Sequence, residues 1–239
     1  MNIIALLKEK INKSKVVELS NNNNKLITFL NPYSYLLFRK NLPLFSKLDI
    51  IYIDGILLIF LLRLFSIRSY RFSFDMTSLA PLVFEDAINH NKKIYFVGSK
   101  QEEILEFIDK IKKEYPQLNV IGFRNGYFNE QTKKESIEEI FLLQPDIVIS
   151  GMGTPFQEQF ILDLKEAGWN GTGYTCGGFF HQTAKNITYY PKIFDTLHLR
   201  WLYRIYDEPK LLRRYIVLYP KSILIYIFDA ITYKLNKNT

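Results

Sequence analysis

The feature that most constrains this chain is a repeated switch of hydrophobic period. Residues 93–97 (KIYFV) and 146–150 (DIVIS) are strand-length, mostly apolar runs without regular polar alternation, and each leads into a stretch with helical spacing. A strand with no polar face has to be covered on both sides. Strands alternating with helices of this length form a parallel sheet with right-handed crossovers. The same reading places strands at 26–30, 49–53, 119–123 and 173–176, and helices at 32–40, 100–114, 130–143 and 154–167. Residues 1–15 also have helical spacing, through Ile3, Ile4, Leu7 and Ile11. Asn31-Pro32 ends the first strand, Asp54-Gly55 ends the second, Ser99 with Glu102 matches a capping box, and Gly168 marks a helix end.

The expected fold is therefore α/β: a Rossmann-like, mostly parallel sheet with flanking helices over residues 1–190. From Pro191 on, Arg, Lys and aromatic residues dominate, and residues 191–239 read as a basic helical C-terminal appendage. Hydrophobic residues make up 48% of the 239, with 19 Phe and 16 Tyr, which is ample for a packed core. The formal charge of +7 suits an anionic partner: a nucleotide, a nucleic acid or an anionic membrane surface. No nucleic-acid recognition module is visible, so nucleic acid is not the expected partner. A single cysteine, Cys176, excludes an internal disulfide framework and a Cys-based zinc cluster. Three scattered histidines, His90, His181 and His198, do not form a His-rich metal pattern.

The N-terminal MNIIALLKEK lacks the pattern of a signal peptide. Two apolar stretches fall short of the roughly 20 residues of a spanning helix. Residues 48–67 carry Asp49, Asp54, Gly55 and Arg63 and read as buried core. Residues 216–228 are interrupted by Pro220 and Lys221 and read as a core or interfacial helix. The expectation is a cytoplasmic protein that touches a membrane without spanning it.

Residues 145–159 (PDIVISGMGTPFQEQ) are the most informative segment. A buried strand runs into Gly151-Met152-Gly153, where the backbone can turn sharply and a ligand can approach closely. Thr154 suits an N-cap, Pro155 the first helical position, and Gln157 the closing place of a capping box. The positive end of the new helix would face a ligand beyond the strand ends. A dinucleotide fingerprint fails here: Phe156 stands where a third glycine is needed, and 173–178 has no acidic residue. Asp54 follows the buried run IIYI and lands on the same sheet edge, where it could act as a general base or simply make a turn. Arg200 and Arg204 share a helix face in a tail that also holds His198, Trp201, Tyr203, Lys210, Arg213, Arg214 and Tyr215. Such a cluster could bind a diphosphate or anionic lipid, or be a solvated face.

In this order the segments resemble the WecG/TagA/CpsF bacterial glycosyltransferases, over roughly residues 26–215. The resemblance rests on Asn31, Asp54-Gly55, Arg71 with Asp75, Val97-Gly98, Gly126-Tyr127-Phe128, GMGTPFQE at 151–158, CGGFF at 176–180, Pro191, RWLYR at 200–204 and Glu208-Pro209. It implies an inverting transfer of a hexose derivative, such as N-acetylmannosamine or its uronate, from a UDP-sugar donor. The acceptor would be a lipid-diphosphate-linked sugar, used in surface polysaccharide synthesis on the inner face of the cell membrane, with no bound metal and no cofactor. Asp54 would be the base. Substrate binding would involve Asn31, Arg71, Asp75, Gly98, Gly151, Gly153, Thr154, Pro155, Gln157, Glu158, Gly177, Gly178 and His181, with Arg200, Arg204, Arg213 and Arg214 from the tail on the diphosphate or membrane.

The chain departs from the family pattern in places. Phe29 stands where a Thr is frequent, with Thr28 one further back. His181 replaces a frequent Asp, Lys185 a frequent Gly, and Lys210-Leu211-Leu212 runs where an Arg often follows Glu-Pro. His181 could serve as a donor-site or acid/base group or be structural. Two other classes stay open: a nucleotide-binding oxidoreductase and a non-catalytic membrane-associated scaffold. The oligomeric state, including a homo-oligomer, is also open.

Overall fold

The computed structural model describes residues 2–197 and 199–237. His198, part of the basic tail, lies outside the described residues. Helix α1 (Ile3–Lys10) precedes β1 (Leu26–Leu30), α2 (Pro32–Lys40), α3 (Leu42–Ser46), β2 (Ile50–Ile53) and α4 (Ile56–Leu64). Helix α5 (Leu79–Asn89) leads into β3 (Ile94–Gly98), α6 (Gln101–Glu114), β4 (Val120–Arg124) and α7 (Glu130–Leu143). Then come β5 (Ile147–Gly151), α8 (Phe156–Glu166), β6 (Thr172–Thr175) and α9 (Phe179–Lys185). The C-terminal part holds α10 (Lys192–Thr196), α11 (Arg200–Asp207) and α12 (Tyr219–Lys237).

The strands form one sheet in the order β2-β1-β6-β5-β3-β4, with every pair parallel. The lack of polar alternation has the reason the sequence suggests. Successive residues of one strand feed two different cores: Tyr95 and Val97 one, Ile94 and Phe96 the other. Helices α1, α2, α4, α8 and α12 pack on the first face, and α5, α6 and α9 on the second. Strand order reverses at β1, which has β2 on one side and β6 on the other, and the C-terminal edge there opens a crevice.

Four local expectations need correction. The helical pattern of 1–15 stops at Lys10; Ile11 turns extended and bridges to Ile51, with Asn12 N donating to Ile51 O at 2.9 Å. The box on α6 is closed by Glu103, not Glu102, because the N-cap is Lys100; the Lys100 amide donates to Glu103 Oε2 at 3.3 Å, and the Ser99 hydroxyl bonds the same oxygen. Helix α8 starts at Phe156, and neither Thr154 nor Gln157 caps it, because both side chains turn inward to Glu158. Residues 48–67 are not wholly buried: Leu58, Ile59, Leu61 and Leu62 face the core, while Ile56, Phe60 and Leu64 are exposed.

The tail also differs from its sequence reading. Residues 209–237 form one continuous helical run, long and apolar enough by length and composition to cross a membrane. Pro220 does not break it. A π turn at Arg214–Leu218 precedes that proline and relaxes the backbone ladder into which its ring would otherwise clash. One face of α12 packs on the sheet domain through Ser222, Tyr226, Asp229 and Ala230. Asp229 is nearly buried, accepting from Tyr35 Oη at 2.9 Å and from Arg39 Nε at 2.9 Å. Leu224, Phe228 and Ile231 on the other face are exposed.

Candidate active site

The strand ends β1, β2, β5 and β6 deliver their following residues to one cleft of about 1060 Å³. That is ample for a nucleotide sugar, since ligand sites commonly span roughly 300–1,000 Å³. From the strand side it is lined by Asn31, Asp54, Gly153, Thr154, Gln157, Gly177 and Gly178, and from the loop after α4 by Arg71 and Asp75. The C-terminal segment supplies the opposite wall: Tyr190, Arg200, Trp201, Arg204, Arg214, Tyr215 and Tyr219.

Asp54 is placed by its backbone. Its amide donates to Leu30 O at 2.8 Å, so β1 fixes the end of β2. Arg71 is set beside it by a bridge between Ile53 and Arg71, with Phe72 N donating to Ile53 O at 2.9 Å. Burial raises the Asp54 pKa above the ordinary carboxylate value; Arg71 pulls it down, Asp75 pushes it up, and Arg200 and Arg204 pull down less. A carboxylate kept in this state is a stronger base than one in water.

Asp75 has the opposite character. Burial would raise it, but Arg200 and hydrogen bonds from Thr77 and Ser73 hold it below the ordinary range. Arg200 Nη1 donates to Asp75 Oδ2 at 2.8 Å and Arg200 Nε to Asp195 Oδ1 at 2.6 Å; the guanidinium also bonds Thr77 Oγ1 and lies 4.7 Å from the Tyr190 ring centre. Arg200 is thus a strut that clamps α11 to the loop after α4. Arg204 is freer. Its guanidinium lies over Gly178, where a Cβ would come within 3.6 Å of both terminal nitrogens, and it forms an ion pair with Glu208 at 2.7 Å. Arg204 Nε is buried and unpartnered. Arg214 stacks 3.9 Å from the Tyr33 ring centre. Four arginines against two aspartates give the lining a positive balance suited to a diphosphate.

Two features shape the strand-side wall. Gly153 and Gly177 have positive φ (77° and 57°), and a side chain at either would meet nothing within 4 Å, so backbone faces open cleft there. Below them lies a buried polar cluster. Glu158 Oε1 accepts from Thr28 Oγ1 at 2.7 Å, Gln157 Nε2 at 3.0 Å and Thr154 Oγ1 at 3.1 Å, and Thr175 Oγ1 donates to Thr28 Oγ1 at 3.0 Å. Gln157 Oε1 accepts from Gly177 N at 3.1 Å, tying the β5 turn to the β6 turn. Burial raises the Glu158 pKa despite these bonds. The Cys176 thiol, also on the cleft, is pushed up by burial and is therefore a poor nucleophile.

A cleft at a parallel-sheet switch point, with a raised carboxylate and a set of arginines in its lining, suits an anionic substrate. Comparison with known proteins then decides the family. A profile of the glycosyl transferase WecG/TagA/CpsF family matches residues 3–236. The chain belongs to this family. One relative, the UDP-Gal:alpha-D-GlcNAc-diphosphoundecaprenol beta-1,4-galactosyltransferase of Shigella boydii, is 38% identical over 208 residues, covering 85% of this chain and 86% of the relative. Another is the N-acetylglucosaminyldiphosphoundecaprenol N-acetyl-beta-D-mannosaminyltransferase of Bacillus spizizenii. It is 29% identical over 172 residues, or 71% of this chain and 65% of the relative.

Several residues that the family resemblance singles out lie off the cleft wall of this WecG/TagA/CpsF protein. Gly98 and Gly151 are packing glycines: a Cβ on Gly98 would sit 2.5 Å from Gly151 O, and one on Gly151 would sit 2.9 Å from Cys176 Sγ and from the Phe180 ring. Pro155 and Arg213 do not line the cleft, and Arg213 is exposed. Glu158 lies beneath the wall. His181 points away from it, with Nδ1 2.8 Å from Glu103 Oε1 and Nε2 3.9 Å from Glu208 Oε1.

His181, Asp207 and Glu208 have ligand atoms within 4.8 Å of one another, a spacing that a metal could use. Cations already occupy the carboxylates, however: Lys185 lies 2.8 Å from Asp207 and Arg204 2.7 Å from Glu208. Sequence reasoning did not assign Tyr33, Phe156, Gln182, Tyr190 or Tyr219 to the site. Tyr219 lies in the aromatic tail, whose composition does not specify which rings turn inward; the other four lie before residue 191.

Proposed function

We propose that this protein is an inverting hexosyltransferase that moves a sugar from a UDP-sugar to a sugar carried on polyprenyl diphosphate. The observation that carries this reading is Asp54: a half-buried carboxylate at the end of β2 that lines the cleft beside Arg71, with a raised pKa and with Arg204 on the C-terminal wall. In this reading Asp54 removes the proton from the acceptor hydroxyl as that oxygen attacks the anomeric carbon of the donor. The anomeric carbon–oxygen bond to UDP breaks, and configuration inverts. Arg204, Arg214 and the N-terminus of α8 offset the charge growing on the departing diphosphate. Those groups can supply what a divalent cation supplies elsewhere, so turnover should persist in EDTA; loss of turnover that magnesium restores would overturn this part.

UDP-galactose is the donor to test first, because the more similar of the two relatives uses UDP-Gal. The name of that relative specifies a β-1,4 linkage to the transferred galactose. The decisive assay offers a panel of UDP-sugars with N-acetylglucosaminyl-diphosphoundecaprenol and reads products by mass spectrometry. One hexose added to the acceptor is the expected result; no transfer from any donor would reject the reading. This reading has the enzyme acting at the inner membrane face, touching it through the C-terminal segment. Support comes from the exposed Leu224, Phe228 and Ile231 together with Lys221 and Lys234 on the same helix. Sedimentation with anionic vesicles that weakens as salt rises is expected, and salt-independent absence of binding would exclude it.

A further inference from the structure

The exposed face of α4 has no role in the mechanism above. Its apolar residues Ile56, Phe60 and Leu64 recur every four positions, so they form one stripe along the helix, and they are 45%, 64% and 60% exposed. Their neighbours Leu58, Ile59, Leu61 and Leu62 already fill the core, so core packing does not explain the stripe. Ile56 follows Asp54 by two residues, and Ile56 and Phe60 line the cleft while Leu64 does not. The stripe therefore begins at the proposed base and leads out of the cleft over about 12 Å at 1.5 Å per residue. Phe156 and Trp201, 70% and 45% exposed, add apolar surface at the same cleft. An anionic head fits the arginines inside, and a long apolar tail attached to that head needs a dry path out.

We infer that α4 is the track for the polyprenyl chain of the acceptor, with Ile56, Phe60 and Leu64 covering its first isoprene units as it leaves the cleft. This inference rests on the lipid-linked acceptor of the proposed function and extends it to a subsite. Continuity with the cleft favours the substrate's own chain over a bilayer surface as the occupant. The chain is apolar, it belongs to the acceptor whose hydroxyl Asp54 would deprotonate, and the stripe starts two residues after Asp54 on the same cleft. Burial against the chain would offset the cost of leaving these side chains in water.

The test compares the double variant F60S/L64S with wild type on two acceptors that share one head: N-acetylglucosamine diphosphate on undecaprenol and on a methyl group, which carries no isoprene unit. Both side chains are largely exposed, so the variant should keep the wild-type melting temperature. The ratio of kcat/KM on the long acceptor to that on the short one should fall roughly tenfold, the scale of one to two kcal/mol of lost apolar contact. An unchanged ratio overturns the track. So does weaker vesicle sedimentation with an unchanged ratio, which would make the stripe a bilayer anchor instead.

A second arm needs no turnover and no variant. A benzophenone-tagged polyprenyl diphosphate is photolysed on wild-type protein, and the adducts are mapped. Adducts on residues 56–64 support the track; adducts only elsewhere reject it. If wild type transfers to neither acceptor, the proposed function fails while this arm still decides the subsite.

Discussion

The two walls of the cleft are built by different means. The strand-side wall is made of backbone: strand ends locked by the parallel ladder, glycines in contact at Gly98 and Gly151, and an amide of Gly177 held by Gln157. The C-terminal wall is made of side chains. Helices α10 and α11 bury no residue fully, and they are held by Arg200 on Asp75 and Asp195, by Arg204 on Glu208 and by the rings of Tyr189, Tyr190, Phe194 and Tyr203. A backbone wall fails only with the fold. A side-chain wall can loosen alone, which suits a side through which a ligand would enter and leave.

The sharpest way to separate chemistry from architecture is Asp54→Asn. Turnover should fall by at least about a hundredfold, the scale of a lost general base, with UDP-sugar affinity retained by calorimetry. Arg204→Ala should cost roughly a hundredfold in kcat, as for one lost transition-state donor, with less change in KM for the donor. An equal loss in both parameters would place Arg204 in ground-state binding instead.

Two further variants probe the walls directly. Arg200→Ala leaves Asp75 without its cation and should lower the local stability of 191–219 by about 3 kcal/mol, seen as faster amide exchange there while strand exchange holds. Exchange that rises equally in both regions would break the contrast. Gly151→Ala should act in the other direction. It forces the β5 end against Cys176 and Phe180 and should lower stability of the whole domain by about 1–3 kcal/mol in denaturant melts.

The smallest effect concerns pH. A raised folded-state pKa on Asp54 means that the folded protein binds the proton more tightly than the unfolded chain does. Its contribution to stability is therefore present at low pH and is lost as pH rises through the raised value. Asp54→Asn should then melt at an equal or slightly higher temperature at neutral pH, with the difference vanishing in acid. The activity of wild type should show its acid limb above the ordinary carboxylate range. Asp75 has the reverse sign: its contribution is present at neutral pH and is lost as pH falls through its lowered value.

The same contrast explains what the sequence could and could not reveal. All six strands and their parallel sense were legible, since a two-sided apolar run has few other uses, but their order in the sheet was not. The strand-side wall was legible too, because Asn31, Asp54, Gly153 and Gly177 follow strands and the topology sends every strand end to one edge. Missed details were matters of competition between partners. Thr154 had the residue type of a cap, but a buried Glu158 needed its hydroxyl more. Glu102 follows from Ser99 as the N-cap, and Glu103 takes its place because the N-cap is Lys100, one residue later. Arg200 and Arg204 lie one turn apart on one face, yet one is a strut and the other faces Gly178, a distinction set by Asp75, which is distant in sequence. The rings of Tyr190, Tyr215 and Tyr219 reach the cleft because of the path of the tail, which no local pattern encodes.

That path passes through the π turn at Arg214–Leu218. A π turn holds one residue more than an α turn, so it slips the phase of all later residues by about 100°. At the start of the turn Arg214 and Tyr215 engage the cleft; beyond it Tyr226 and Asp229 engage α2 and the core. The turn works as a gear offset between two couplings. A tail shortened by one residue at this point could mesh with the substrate side or with the domain side, but not with both, so the length of this segment is constrained even where its side chains point to solvent.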